Sequence, residues 1–452
     1  MRANWRSEIR RGAIVALVAA MVVATAAPAA SAAGAFAADD HEPGPTTYLD
    51  HCTTIDDPGT YILDRDVRTS ADACFTVTAD DVRLLGAGHA VVGTNRNGSA
   101  VAVDGASDVH VEGFDVDGWW HGVRVVDAED VTVTDVSVRN ASADGVRVSD
   151  STGVTLSHGS VVAVGGHGVA VLESETVTVD GMRLANNTGD GVAVRRSTGT
   201  TVRASEIVEN GGVGVAVAAE SRPAVDRPNV PAWLLPLFGG GGLGDIAELF
   251  ASADGADDRE RTVIADNRLA DNRYEGVLVD GAHGSRIAGN TVVGATDGIR
   301  LFNLSGASVA DNVVTGSVDD GIAVSAVRGT NVSRNAVTGN GDDGLYVSGS
   351  ETTVTNNTLV DNGDDGIDLH DSNRSRIAGN EARDNFDDGL FLRESDGNVV
   401  AENRLHDNGD DGFDIRGSTD NVVHNNSVCR NANRDMQVRL GVVGNDVRDN
   451  SC

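Results

Sequence analysis

The sequence predicts an all-β, single-domain right-handed parallel β-helix, a solenoid of about 22–23-residue coils with one 39-residue insertion. Three observations predict it. A glycine followed by an apolar–any–apolar triplet recurs at Gly122, Gly145, Gly168, Gly191, Gly214, Gly276, Gly298, Gly321, Gly344, Gly366, Gly389 and Gly412. Successive spacings are 22 or 23 residues, except for 62 between Gly214 and Gly276, which is one coil plus the insertion. Within a coil the apolar period is two, as in Val146/Val148, Ile367/Leu369 and Phe413/Ile415. That is the signature of short half-buried strands. Finally, asparagines recur in step with the glycines, one column at Asn267, Asn290, Asn312, Asn335, Asn357, Asn380, Asn403 and Asn426, another at Asn340, Asn362, Asn385, Asn408 and Asn431.

Each element has its own reason. After the glycine, positions +1 and +3 are apolar and position +2 is unrestricted, so +1 and +3 face inward. A second strand follows, as in Val131-Thr132-Val133, and a third, as in Val136-Ser137-Val138. The glycine usually follows Asp, Glu or His, which predicts a turn requiring positive φ. Stacked Asn side chains can bond the backbone of neighbouring coils, so these columns read as structural ladders. Coils stack at about 4.8 Å, inside the disulfide range for Cα atoms. Cys52 and Cys74 are one coil apart, as are Cys429 and Cys452, which predicts two staples, one at each end of the stack.

Along the chain, residues 1–37 read as a signal peptide. Arg2, Arg6, Arg10 and Arg11 precede an apolar run from Gly12 to Ala27, with cleavage expected after Ala32 or Ala37. The Arg10-Arg11 pair hints at twin-arginine export. Residues 38–98 are expected to form the N-terminal cap and first coils, 99–220 regular coils, 221–259 an insertion or flap, and 260–452 the remaining coils and C-terminal cap. The insertion carries Trp233, Leu234, Leu235, Leu237 and Phe238, and its segment from Leu243 to Ala251 could form a short helix. A monomer is expected.

Charge narrows the partners. The formal net charge is −33 and no lysine occurs. Removing residues 1–37 takes away four Arg and one Glu, shifting −33 to −36. Such a field disfavours nucleic acid and anionic lipid. Any membrane contact is expected only through the insertion near Trp233. The acidic, lysine-free composition resembles the proteomes of salt-loving archaea.

The coil texture, Asn-x(4)-Asn-x-Asp-Asp-Gly-Ile-x-Leu, resembles the carbohydrate-binding and sugar-hydrolase β-helix group. That group includes pectate lyases, polygalacturonases, mannuronan C5-epimerases and the copper-accessory protein NosD. The segment from Cys52 to Tyr61 also looks like the opening of NosD-like proteins of halophilic archaea. The resemblance spans nearly all of residues 50–452 and is specific for fold, while the group hosts many activities.

The candidate chemistry lies in the C-terminal half. Acidic pairs precede the glycine in five consecutive coils: Asp319-Asp320, Asp342-Asp343, Asp364-Asp365, Asp387-Asp388 and Asp410-Asp411. Stacked carboxylates repel, and calcium favours such oxygen clusters. Asp364, Asp365, Asp387, Asp388, Asp410 and Asp411 are therefore candidate calcium ligands, beside the reading that they are ordinary Asp-Gly turns; no other cofactor is required. The +2 column beside them runs Tyr346, Asp368, Phe391, Asp414, and position +4 adds His370, Arg393 and Arg416. Aromatic faces, guanidinium groups and proton-transfer groups on one strip suit an acidic sugar. Tyr346, Phe391, Arg393, Asp414 and Arg416 are the candidate substrate contacts. Gly366-Ile367-Asp368-Leu369-His370-Asp371 looks like the Gly-x-Asp-x-His-acid signature of mannuronan C5-epimerases. That resemblance implies acid/base roles for Asp368 and His370, although Leu369 replaces the family's proline. Copper favours Met and Cys, and the mature chain offers only Met182, Met436 and cysteines that look paired.

The leading expectation is an extracellular β-helix protein binding polysaccharide or cell-envelope glycan. A polysaccharide lyase, C5-epimerase or hydrolase is the first alternative, a structural or adhesive surface protein the second, and a copper accessory protein the least supported. One prediction follows from charge alone. Self-repulsion near −36 is screened within about 3 Å in molar salt and hardly at all in millimolar salt. The melting temperature should therefore fall as salt is diluted, and a salt-independent melting curve contradicts the charge argument.

Overall fold

The computed structural model describes residues 45–219, 261–438 and 443–452. The signal segment, the insertion around Trp233 and its expected helix lie outside them. Among the described residues every element is a β-strand, and every strand pairing in the register is parallel. Three sheets of 16, 17 and 15 strands run along the stack, each coil giving one strand to each. Ile367–Asn373 belongs to the glycine-bearing sheet, Arg376–Ala378 to the second and Glu381–Arg383 to the third. Coils begin before the regular repeat: Thr46–Leu49 pairs with Gly59–Leu63 and Thr53–Ile55 with Ala73–Val77. Val215–Ala218 pairs directly with Val277–Asp280, so the insertion leaves the coil between two strands without breaking the stack.

The period-two pattern builds the interior. Val146, Val148, Ile367, Leu369, Phe413 and Ile415 are buried, and one continuous apolar core runs from Leu49 to Val428. The staples form as expected: Cys52 pairs with Cys74 at a Cα–Cα distance of 4.2 Å, and Cys429 with Cys452 at 4.9 Å.

The glycine column corrects one expectation. None of these glycines has positive φ. Positive φ falls on other corner residues, such as Asp150 (51°) and Asn356 (55°). The glycine column exists because the chain turns inward there. A Cβ on Gly366 would lie 2.6 Å from the Gly389 carbonyl oxygen and 2.7 Å from both Ala382 Cβ and Asn385 Nδ2. Close backbone approach, rather than torsional freedom, selects the residue.

The asparagine columns are ladders, continuous from coil to coil. Asn380 Oδ1 accepts the Asn357 backbone N–H (2.9 Å) and Asn357 Nδ2 (3.0 Å), while Asn380 Nδ2 donates to Val354 O and Asn403 Oδ1, each at 3.0 Å. The second column repeats this from Asn340 to Asn431. Both columns are almost wholly buried, so each bond replaces one that water would make. Asn380→Ala strands the Asn357 N–H and the Val354 carbonyl in the interior. It should destabilise the protein by about 2–3 kcal/mol, read from denaturant unfolding in high salt. A loss below about 0.5 kcal/mol would contradict a ladder role.

Candidate functional site

The acidic residues before each glycine occupy two columns with different surroundings. The member next to the glycine turns inward and repeats the asparagine geometry. The backbone N–H of Asp343 donates to Asp320 Oδ1 at 3.2 Å, that of Asp365 to Asp343 Oδ1 at 3.0 Å, and those of Asp388 and Asp411 to the preceding Oδ1 at 2.8 Å. Asp343, Asp365, Asp388 and Asp411 are buried. Burial, helped by like charges one coil away, pushes Asp320 up to about 8, Asp343 to about 9 and Asp365 to about 10. Burial raises Asp388 to about 7. Protonation thus relieves much of the stacked-carboxylate repulsion. The outer member, Asp364, Asp387 or Asp410, is partly buried. It brings a carboxylate within 4.8 Å of its inner neighbour and of the next coil, as Asp364/Asp365/Asp387 and Asp387/Asp388/Asp410. A further triad, Asp342/Asp343/Asp364, continues the series. Oxygen-only clusters of this kind could hold a calcium ion, and Asp388 Oδ2 is buried there without a hydrogen-bond partner. Asp411 belongs to none of these triads.

Beside the ladder, strand geometry changes. Ile322–Arg328 and Ile367–Asn373 each bulge against Leu345–Ser350, so that Ser325-Ala326 and His370-Asp371 each oppose the single residue Ser348. The 22-residue spacing from Gly344 to Gly366 is the sequence trace of this shorter middle coil. Gly349 closes the bulge at φ 143°, with a Cβ position only 2.1 Å from the Val327 carbonyl oxygen, which no other residue allows. Bulges re-aim side chains, and this one turns His370 toward its neighbours.

Four of the candidate residues converge. Tyr346 Oη lies 3.4 Å from His370 Nδ1, with the rings edge to face. An Arg393 guanidinium N–H reaches His370 Nδ1 at 3.2 Å and Asp368 Oδ2 at 3.3 Å. Asp368 Oδ1 and Arg393 Nε are buried and make no hydrogen bond. Burial raises Asp368 to about 6 against the pull of Arg393 and His370, and burial beside Asp368 raises Tyr346. A carboxyl near 6, an imidazole, a phenol and a guanidinium in one cluster can exchange protons and neutralise an anion.

The rest of the strip corrects the expectation of a solvated outward column. Asp368, Phe391 and Asp414 are only 6%, 8% and 0% exposed. The Arg416 guanidinium lies 4.4 Å from the Phe391 ring centre and that of Arg393 5.4 Å, so arginine covers the aromatic face expected to stack on sugar. Arg416 also grips Asp414 at 2.6 Å. Phe391, Asp414 and Arg416 form a packed support behind the cluster, while His370 and Arg393 remain partly exposed. Sequence reading missed Glu394, whose carboxylate stands with Asp371 near His370 Nε2 at 4.0 and 3.7 Å.

Two family models match: one described as a right-handed β-helix region over residues 99–230, the other as the periplasmic copper-binding protein NosD over residues 261–437. The chain is a right-handed parallel β-helix repeat protein. Curated protein sequences give no match to this β-helix protein. Solved structures similar to it include the periplasmic alginate epimerase AlgG, at 16% identity over 71% of this chain and 76% of that one, TM-score 0.44. The A-module of Azotobacter vinelandii mannuronan C-5 epimerase AlgE4 is 14% identical over 90% and 91%, TM-score 0.37. Tailspike protein 3 of bacteriophage CBA120 is 9% identical over 87% and 56%, TM-score 0.35. Identities this low transfer no residue roles. Among the described residues soft copper(I) donors are few: all four cysteines are in disulfides, Met182 is buried against the Gly159 backbone, and Met436 packs partly buried against the core.

Asp320 tests the carboxyl ladder. Its pKa is raised from 3.8 to about 8, so its contribution to stability is present below about pH 4 and lost as pH rises toward 8. Asp320→Asn keeps the Oδ1 acceptor for Asp343 and removes the titration. The variant should melt higher than the parent at pH 8 and no higher at pH 4. A constant difference at both pH values would contradict a titrating ladder.

Proposed function

We propose that the chain is an exported protein that binds an acidic polysaccharide along the outer face of its glycine-bearing sheet and moves the C5 proton of a uronate unit. The convergence of Tyr346, Asp368, His370 and Arg393 within 3.2–3.4 Å carries this reading. Arg393 pairs the uronate carboxylate and stabilises negative charge as the C5 proton leaves. The adjacent His370 and Tyr346 accept that proton as a pair, with Asp368 tuning them through Arg393, and solvent water on the opposite face of the sugar returns one. Return of a proton to C5 inverts the centre; loss of the oxygen substituent at C4 instead leaves an unsaturated sugar end. The Asp368-x-His370 motif supports the first outcome, and both begin with the same proton transfer. Calcium at Asp364, Asp365, Asp387, Asp388 and Asp410 belongs to this reading as a neighbouring counter-charge for an anionic polymer. The signal-like start and two disulfides support an oxidising, extracytoplasmic setting.

Incubation in high salt with several uronate polymers separates the outcomes: changed C5 stereochemistry, unsaturated ends, or new reducing ends from hydrolysis. His370→Ala and Tyr346→Phe should lower turnover by about 10²-fold or more, with Asp190→Asn, in the N-terminal half, as the unaffected control. Asp368→Asn keeps the buried shape and should lower it similarly. Full turnover in all three cluster variants would refute proton chemistry at this cluster.

A further inference from the structure

A second built site stands at the other end of the same sheet face. The column next to the glycine is small in the early coils, with Ala73 and Ser99 in register ahead of His121; the column before it holds Asp72 and then Gly98 ahead of Trp120. The +2 column is small there too, running Thr76, Ala102 and only then Arg124 and Arg147. The outer surface therefore steps up abruptly at the coil of Gly122. Trp120, His121 and Arg124 form the riser, and Ser99, Ala102 and Thr76 the tread. The step borders an open cleft of about 370 Å³ that Arg147 and Asp72 also line. That volume falls within the range of about 300–1,000 Å³ for small-ligand sites.

The walls have recognition chemistry. Trp119 is fully buried with its indole N–H on the Val91 carbonyl, whereas Trp120 beside it is 49% exposed and meets the His121 ring edge-on. The neighbours of Trp120 in its column are small, Gly98 on one side and Ala143 on the other, so the indole stands proud of the coils on both sides. His121 Nδ1 is buried and makes no hydrogen bond, 3.9 Å from Asp144 Oδ2, and burial lowers the ring's pKa against the pull of Asp144. Arg124 bonds Asp104 at 3.3 Å and Arg147 bonds Asp144 at 3.2 Å. Each guanidinium has five N–H donors in a fixed fork, so both arginines keep donors for a ligand.

We infer that this step is a sugar subsite for an acidic polysaccharide, with the Trp120 face as platform and Arg124, Arg147 and His121 as the polar contacts. An apolar face backed by guanidinium donors and an imidazole matches a pyranose ring carrying hydroxyls and a carboxylate. The subsite lies nine coils from the Asp368 cluster on the same sheet, roughly 40 Å at about 4.8 Å per coil. The inference rests on the uronate-polymer reading and extends it: the step anchors a long chain whose reacting unit lies elsewhere. Effective concentration then makes a polymer that spans both sites bind tighter than a fragment.

Calorimetric titration in high salt with polymannuronate of about fifty units, mannuronate trimer and neutral dextran tests this. Trp120→Ala should weaken polymer binding about tenfold, the scale of losing an aromatic anchor. Trp120→Phe should restore most of it. Melting temperature should not change, because Trp120 is half exposed, and trimer turnover at the distant cluster should not change either. Unchanged polymer affinity in Trp120→Ala, equal binding of dextran, or no polymer binding by the parent protein each overturns the inference. Loss of polymer affinity in Trp120→Ala alongside full turnover in the His370 and Asp368 variants upholds the subsite and refutes the proton chemistry.

Discussion

One constraint governs the molecule: parallel strands one coil apart must hydrogen-bond at about 4.8 Å, so in the regular coils a residue sits directly over its counterpart 22 or 23 positions away. Whatever occupies a column must tolerate its own kind as a neighbour. Inside, valine, isoleucine and leucine do so by dispersion. At the corners asparagine does so because its amide carries both a donor and an acceptor, letting each side chain serve the coil on either side. An ionised aspartate has only acceptors, so its column can copy the ladder only by giving up charge. The high pKa values of Asp343 and Asp365 are the electrostatic cost of placing carboxylates in an amide's position.

The same constraint concentrates unlike groups when the columns vary. Tyr346, Asp368 and Phe391 are vertical neighbours in one column, and the bulge at His370-Asp371 swings an adjacent column toward them. The cluster is thus assembled from three coils with no loop. Strand backbones paired on both sides hold its members, and the Phe391–Arg416–Asp414 packing braces it from the next coil. Such a site is rigid by construction, which suits chemistry that depends on orientation.

Much of this was legible in the sequence, and the failures are physical. Repeat length, inward residues, asparagine ladders and both disulfide pairs follow from periodicity, because a stack turns sequence separation into spatial adjacency. Gly366 and its equivalents announced the repeat but for a misread reason: crowding from the next coil's carbonyl cannot be seen within a single coil. Period two put Asp368 and Asp414 on the outer face, yet outer did not mean exposed, since Arg393 of the next coil reaches over Asp368 and Arg416, two positions along, folds back over Asp414. The His370 bulge left a trace in one 22-residue spacing. The step at Trp120 left a subtler one, an indole placed between Gly98 and Ala143 in its column.

Because each coil touches only its neighbours, the distance between any two features on a face is counted in whole coils. Duplication or loss of one coil between Trp120 and Asp368 would leave both local geometries intact and change their separation by a single fixed increment. The stack is in this sense a ruler with discrete graduations. Lineages descended from such a chain can reset the separation of two surface features by copying or deleting about 23 codons, without redesigning either.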